Sequence, residues 1–96
     1  MSVVEITTFE LAQEADDDAF LAADRRVQTE LVPNQSGFMR RTTARGGAGW
    51  VVVVLWSSRE AATAFDDVAR NHPVQAEFEQ HLHRASVVTH RYDTLD

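Results

Sequence analysis

Gly49-Trp50-Val51-Val52-Val53-Val54-Leu55-Trp56-Ser57-Ser58 is the stretch that decides the fold. Every position from Trp50 to Trp56 is apolar, and the centre of the run is β-branched, which reads as a strand. A strand with one wet face alternates apolar and polar residues. This one does not, so it is expected to be covered on both faces. Immediately upstream, Gly46-Gly47-Ala48-Gly49 is a turn in which glycine permits positive φ. Gly37 to Arg45 precedes the turn as a second strand. The connection is short, so the two strands should pair antiparallel as a hairpin.

Working outward, Val3 to Phe9 is short and rich in β-branched residues, hence another strand. Asp16-Asp17-Asp18 opens a helix, because carboxylates cap free N–H groups and suit the positive end of the helix dipole. That helix should run to about Val32, where Pro33-Asn34 stops it. After the apolar strand, Ser57-Ser58-Arg59-Glu60 fits an S-x-x-E capping box. A helix follows to about Asn71. Pro73 breaks it and begins a short helix, Val74 to about Arg84. Ala85 to Tyr92 is the last strand. The order β-α-β-β-α-β predicts a single α+β domain over residues 1–96, ferredoxin-like, with a four-stranded antiparallel sheet and helices on one face. Those helices leave one side of Val51–Val54 bare. A second copy is the simplest cover, which predicts a homodimer with its sheets face to face.

Composition narrows the function classes. The chain has 96 residues, 44% of them hydrophobic and 25% charged, as in an ordinary globular domain. It contains no cysteine, which excludes disulfides, thiolate zinc sites and cysteine nucleophiles. All 9 basic residues are arginine, so no lysine can form a Schiff base or serve a phosphate loop. The net charge of -6 and the lack of a basic run argue against nucleic acid and anionic membranes as partners. No apolar stretch is long enough to span a bilayer, and the N-terminus lacks the pattern of a signal peptide, so a cytoplasmic location is expected.

The stretch Pro33-Asn34-Gln35-Ser36-Gly37-Phe38, then Arg40-Arg41, then Trp50 to Ser58, then Glu60-Ala61 and Ala64-Phe65, resembles the antibiotic-biosynthesis-monooxygenase domains of the dimeric α+β barrel superfamily. The resemblance covers nearly the whole chain. It implies a dimeric barrel and a ligand held between helices and sheet. The superfamily includes cofactor-independent oxygenases and haem-degrading enzymes. In the haem-degrading branch a helical Trp and a His ten residues later act with an Asn near the end of the first strand. Aligned on Ala64-Phe65, this chain has Val68 and Phe78 at the first two positions, and its first strand ends Thr7-Thr8-Phe9. Haem degradation is therefore not expected. The missing helical Trp also departs from the quinone-forming oxygenases.

Candidate site residues follow from misplaced polarity. At about 100° per residue, Phe20, Val27 and Leu31 share one helix face, and Asp24 falls beside Phe20 with Gln28 one turn on. A carboxylate in an apolar stripe costs several kcal/mol, in rough terms, unless it is paired. Asp24 and Gln28 therefore line a pocket between helix and sheet, or else Asp24 pairs with an arginine such as Arg40, Arg41 or Arg91, or the helix turns it to a wet margin. Trp56 is a pocket wall or core, and Phe78 a further wall. His72, at the helix break, is a base or pocket wall, or else a cation at a helix C-terminus. His90 shares a face of the last strand with Val88 and Tyr92; towards the helices it could deprotonate a ligand, and outward it is surface. His81 and His83 stand two apart on a helix and cannot share a metal ion, so no metal site is expected. Of Arg40 and Arg41 only one can face a ligand. Two readings result: a cofactor-independent monooxygenase acting on a small aromatic or polyketide-like molecule, or a non-catalytic homodimer that binds a small ligand or partner.

Overall fold

The computed structural model describes residues 1–96. Its strands are β1 (Val3–Phe9), β2 (Phe38–Arg45), β3 (Trp50–Trp56) and β4 (Val88–Asp93). Its helices are α1 (Asp17–Arg26), α2 (Arg59–Arg70) and α3 (Pro73–Glu79). The sheet order is β2-β3-β1-β4 and every neighbouring pair is antiparallel, the ferredoxin-like arrangement. No helix is long and apolar enough to cross a membrane.

The sheet's alternation sets its two faces. Val3, Phe9, Val52, Val54 and Trp56 point to the helices and are buried with Phe20, Ala23, Val27, Leu31, Val32, Val74 and Phe78. Phe20 and Trp56 have no exposed surface, and full burial of such a side chain stabilises by about 1.5–3 kcal/mol. The other face carries Val4, Ile6, Val51, Val53 and Leu55, all half-buried, together with exposed Val88 and Tyr92. No element of the chain lies over it. β3 is thus apolar on both sides for two reasons: one side is core, the other an open apolar surface.

The ends of the elements show where local chemistry departs from the sequence pattern. Asp16 caps α1, accepting from the Ala19 N–H at 2.9 Å. Beyond Arg26 the helix widens into a π turn, Val27–Leu31, followed by a 3₁₀ turn, Val32–Asn34. Pro33 has no N–H to continue an α-helical ladder. Ser58, not Ser57, caps α2, accepting from the Ala61 N–H at 3.1 Å, so Glu60 is one place short of closing a capping box. Ser57, just past the end of β3, is held to the start of β2 instead, its N–H donating to the Gly37 carbonyl at 2.8 Å. α3 ends at Glu79, earlier than the pattern suggests. The chain after it turns to bond the segment following β1: the His83 N–H donates to the Glu10 carbonyl, and the Ala12 N–H to the His81 carbonyl, both at 2.8 Å.

Gly37 is the tightest point. Its φ is +83°, and a Cβ there would lie 2.5 Å from the Ala61 Cβ and 2.7 Å from Ser57 Oγ. Gly37→Ala should therefore cost roughly 2–4 kcal/mol, combining left-handed strain with overpacking. Urea unfolding checks this; a neutral substitution would mean that α2 does not seat against the start of β2.

Candidate active site

Between the helix-facing side of the sheet and α2 and α3 lies a cavity of about 880 Å³. Its floor is built from two registered rows. Arg41, Val54, Glu5 and Arg91 are Cα partners in turn across all four strands. One pleat along, Val52, Thr7 and Thr89 form the second row, with Thr43 as the β2 partner of Val52 outside the lining. Its walls are Phe9, Val27, Val32, Phe65, Phe78 and Leu82. Asp66, Ala69 and Arg70 of α2, and Gln75 and Glu79 of α3, complete the helix side.

Arg41 is the buried charged residue of the chain, 8% exposed. Desolvating a guanidinium costs several kcal/mol, as an order of magnitude, unless a partner is supplied. Asp24 supplies it, with Oδ1 2.8 Å from the Arg41 guanidinium. The same oxygen accepts from the Thr43 hydroxyl at 2.8 Å. Gln28 Oε1 accepts a longer hydrogen bond from Arg41, 3.4 Å, reaching it from the π turn. The guanidinium lies over the Phe78 ring at 5.5 Å, within cation–π range. Arg41 is thus held on three sides and lines the cavity on the fourth.

At the other end of the row, Arg91 Nε donates to Glu5 Oε2 at 2.8 Å, and its terminal nitrogen donates to Asp66 Oδ2 at 2.9 Å. Burial works to lower the pKa of Arg91; hydrogen bonds to Asp66 and Glu5, with the charge of both carboxylates, outweigh it and raise the value. Both contacts to Glu5 fall on Oε2, so Oε1 has no protein donor. Thr7 and Thr89 hydroxyls bond to each other at 2.9 Å.

The structure separates the sequence candidates. Phe78 lines the cavity. Asp24 and Gln28 stand behind it and act on it through Arg41. Phe20 and Trp56 are not on its wall but fully buried in the core, where Trp56 packs between Phe38 and Phe65. The Trp56 Nε1–H is buried without a hydrogen-bond partner. His72 is neither wall nor helix C-terminal cation. Its Nδ1 accepts from the Val74 N–H at 3.2 Å, so the imidazole caps the start of α3. His90 is on the wrong face: it pairs with Ile6 in the register, points away from the helices and stacks on Tyr92. Arg91 and Thr89, its neighbours, are the residues of β4 that enter the cavity.

Arg41, Glu5 and Arg91 are the charged residues of the floor row; the sequence left open whether Arg40 or Arg41 faces a ligand, offered Arg41 and Arg91 only as partners of Asp24, and did not single out Glu5. The β2 phase was hidden by an irregularity between Phe38 and Arg40, which leaves Met39 unpaired and turns Arg41 inward. Glu5 was findable: Val3, Glu5, Thr7 and Phe9 alternate with two buried apolar ends and a polar middle.

No protein-family model matches the sequence, and no curated protein does. Solved structures do. A mutant of SnoaB, a cofactor-independent oxygenase from Streptomyces nogalater, superposes with a TM-score of 0.80 at 14% identity, over 99% of this chain and 94% of that one. The chain shares the ferredoxin-like fold of that oxygenase. A candidate antibiotic biosynthesis monooxygenase from Bordetella bronchiseptica matches at TM-score 0.77 and 13% identity, over 99% of each chain. A dimeric ferredoxin-like protein of unknown function from Jannaschia sp. CCS1 matches at 0.74 and 10%, over 98% and 100%. At such identities the likeness is one of fold, and the chemistry has to be argued from the site.

The Arg41–Asp24 pair gives a direct test. Asp24→Leu alone strands a buried guanidinium and should cost about 3–5 kcal/mol, whereas Asp24→Leu with Arg41→Met should recover most of that loss. Urea denaturation of the two variants measures the difference. Equal losses would show that the pair is solvated rather than buried.

Proposed function

We propose that the chain binds a small aromatic, polyketide-like molecule in the cavity and oxygenates it without a cofactor. The observation that carries this reading is the floor row itself: a fixed guanidinium at Arg41 and an unengaged carboxylate oxygen at Glu5, separated by Val54 inside apolar walls. An oxygenation with no cofactor makes the substrate its own reductant, so the protein's task is to favour the substrate's anion. Glu5 Oε1 takes a proton from an activated CH₂ of the substrate. Arg41 supplies positive charge where the electron pair delocalises. Dioxygen adds at that carbon, and the proton returns to give a hydroperoxide. Loss of water then leaves a carbonyl: CH₂ and O₂ become C=O and H₂O. The fold shared with SnoaB, named a cofactor-independent oxygenase, supports the same reading.

A second reading, binding without chemistry, is favoured by a specific feature. No histidine lines the cavity, and its three carboxylates, Glu5, Asp66 and Glu79, each contact an arginine. Oxygen uptake with 1,8-dihydroxyanthrone separates the two. Catalysis predicts uptake above autoxidation, one O₂ per quinone formed, and a fall of about 10²-fold or more in Glu5→Gln. Binding of the anthrone with no added uptake would leave the non-catalytic reading.

We further propose that the working unit is a homodimer. Val4, Ile6, Val51, Val53 and Leu55 make one apolar face with no cover from the chain's own helices. Two such faces packed together form a barrel and remove the exposed patch. Proteins of this fold from Jannaschia and Bacteroides fragilis are described as dimeric. Sedimentation should show a dimer at micromolar concentration, and Val53→Asp should dissociate or unfold it by burying an unpaired charge. A folded wild-type monomer would refute this.

A further inference from the structure

The two ends of the floor row differ electrically, and that difference assigns the ligand a direction. Arg41 faces a single carboxylate, Asp24, whose Oδ1 is also shared with the Thr43 hydroxyl. Asp24 and Gln28 engage at most two of the five guanidinium N–H donors. Donors therefore remain for a ligand, in a group already desolvated and locked against the Phe78 ring. Arg91 is the opposite case. Glu5 and Asp66 both bind it, so this guanidinium is already matched by two carboxylates and offers an anion less than Arg41 does; the cavity's other arginines, Arg70 and Arg84, pair with Asp67 and Glu79. What the Arg91 end offers is an acceptor, Glu5 Oε1, beside the Thr7 and Thr89 hydroxyls. By strand spacing, Arg41 and Glu5 lie about 9.5 Å apart at their Cα atoms, with Val54 between them. A two-ring aromatic lying over Val54 reaches both.

We propose that Arg41 is the specificity-determining residue of the cavity: it takes an acidic oxygen of the ligand, a carboxylate or an ionised enol or phenol, while Glu5 Oε1 accepts from the ligand's far end, from a hydroxyl in a bound acid and, in a substrate to be oxygenated, from the activated CH₂ in the hydroxyl's place. This rests on the cavity being the ligand site, and it adds the polarity and orientation of what binds there. The ligand class is a flat hydroxyaromatic acid rather than a neutral hydrocarbon or a cation. Charge-assisted bonds to a preorganised, buried arginine are the strong kind, so a neutral ligand should lose heavily.

Calorimetric titration with three naphthalenes tests it: 6-hydroxy-2-naphthoate, its methyl ester, and 6-methoxy-2-naphthoate. The hydroxy acid should bind tightest. The ester should bind about 10- to 100-fold more weakly, and the methoxy acid about tenfold more weakly, the sizes expected for a charged and a neutral hydrogen bond. In the Asp24→Leu/Arg41→Met variant, which removes the pair without stranding either charge, acid and ester should bind alike. Ester binding as tight as the acid's in the wild type overturns the Arg41 anchor and leaves the cavity reading standing. An acid preference that survives the double variant also overturns it, since the anion would then be bound elsewhere. Methoxy and hydroxy acids of equal affinity overturn the Glu5 contact. Failure of all three to bind overturns the cavity as the ligand site, and this inference with it.

Discussion

A guanidinium taken out of water has to be neutralised where it comes to rest, and most of the architecture around the cavity answers that demand. Arg41 enters from the sheet and Asp24 meets it from α1, so the first helix is fixed in rotation as well as in position. Thr43, next inward on the same strand, holds the carboxylate from the other side. Gln28 reaches the guanidinium from the π turn. Such turns are frequent at functional sites. Phe78 of α3 closes the arrangement with its ring face. One buried charge thus ties β2, α1 and α3 together, where an all-apolar interior would leave their relative rotation to side-chain packing alone.

The remaining helix is joined differently. α2 packs on the sheet through Ala61 against Gly37 and Phe65 against Trp56, and ion pairs link it to β4: Arg91 to Asp66 and Arg59 to Asp93. The Arg59–Asp93 pair is exposed and adds little stability. Space therefore survives between α2, α3 and the sheet, and it is floored by polar residues at each end with valines between. The chain closes its core around Phe20 and Trp56, and one edge of that core, including Phe9, Val27, Val54 and Phe78, is also the apolar lining of the cavity.

Much of this was readable from residues alone. The turn Gly46–Gly49, the stop at Pro33, the aspartates before α1 and the unbroken apolar β3 gave the element order, and with it the topology. The core face of α1 was also readable, including the anomaly at Asp24. What resisted was the assignment of sheet faces. Alternation names a core face only when the other face is polar, and here Val4, Ile6, Val53 and Leu55 make both sides apolar. His90 then looks as eligible for the interior as Arg91. His72 was misread for a different reason: a residue before proline can serve the helix it ends or the one that follows, and the hydrogen bond to Val74 decides for the latter. Glu5 and Arg91 sit 86 positions apart in sequence, and only the β1–β4 register brings them together.

The irregularity in β2 has a consequence for how that strand is read by its neighbour. β2 has 8 residues and β3 has 7, and both ends of the hairpin are fixed, by Gly37 with Ser57 and by Gly46 with Gly49. One residue must be surplus, and Met39 is it. A shift of a single residue normally exchanges the two faces of a strand. Here the strand reads Arg40-Arg41-Thr42-Thr43, so the shifted frame would still turn an arginine and then a threonine inward. The doubled letters make the two frames nearly synonymous over the cavity. Discrimination falls to the far end of the strand, where the observed frame lays Arg45 on the Trp50 ring at 5.3 Å and within 3.4 Å of Asp17, while the other would place Ala44 there. The frame of the ligand-facing arginine is thus spelled out by a different arginine, on the rim of the sheet.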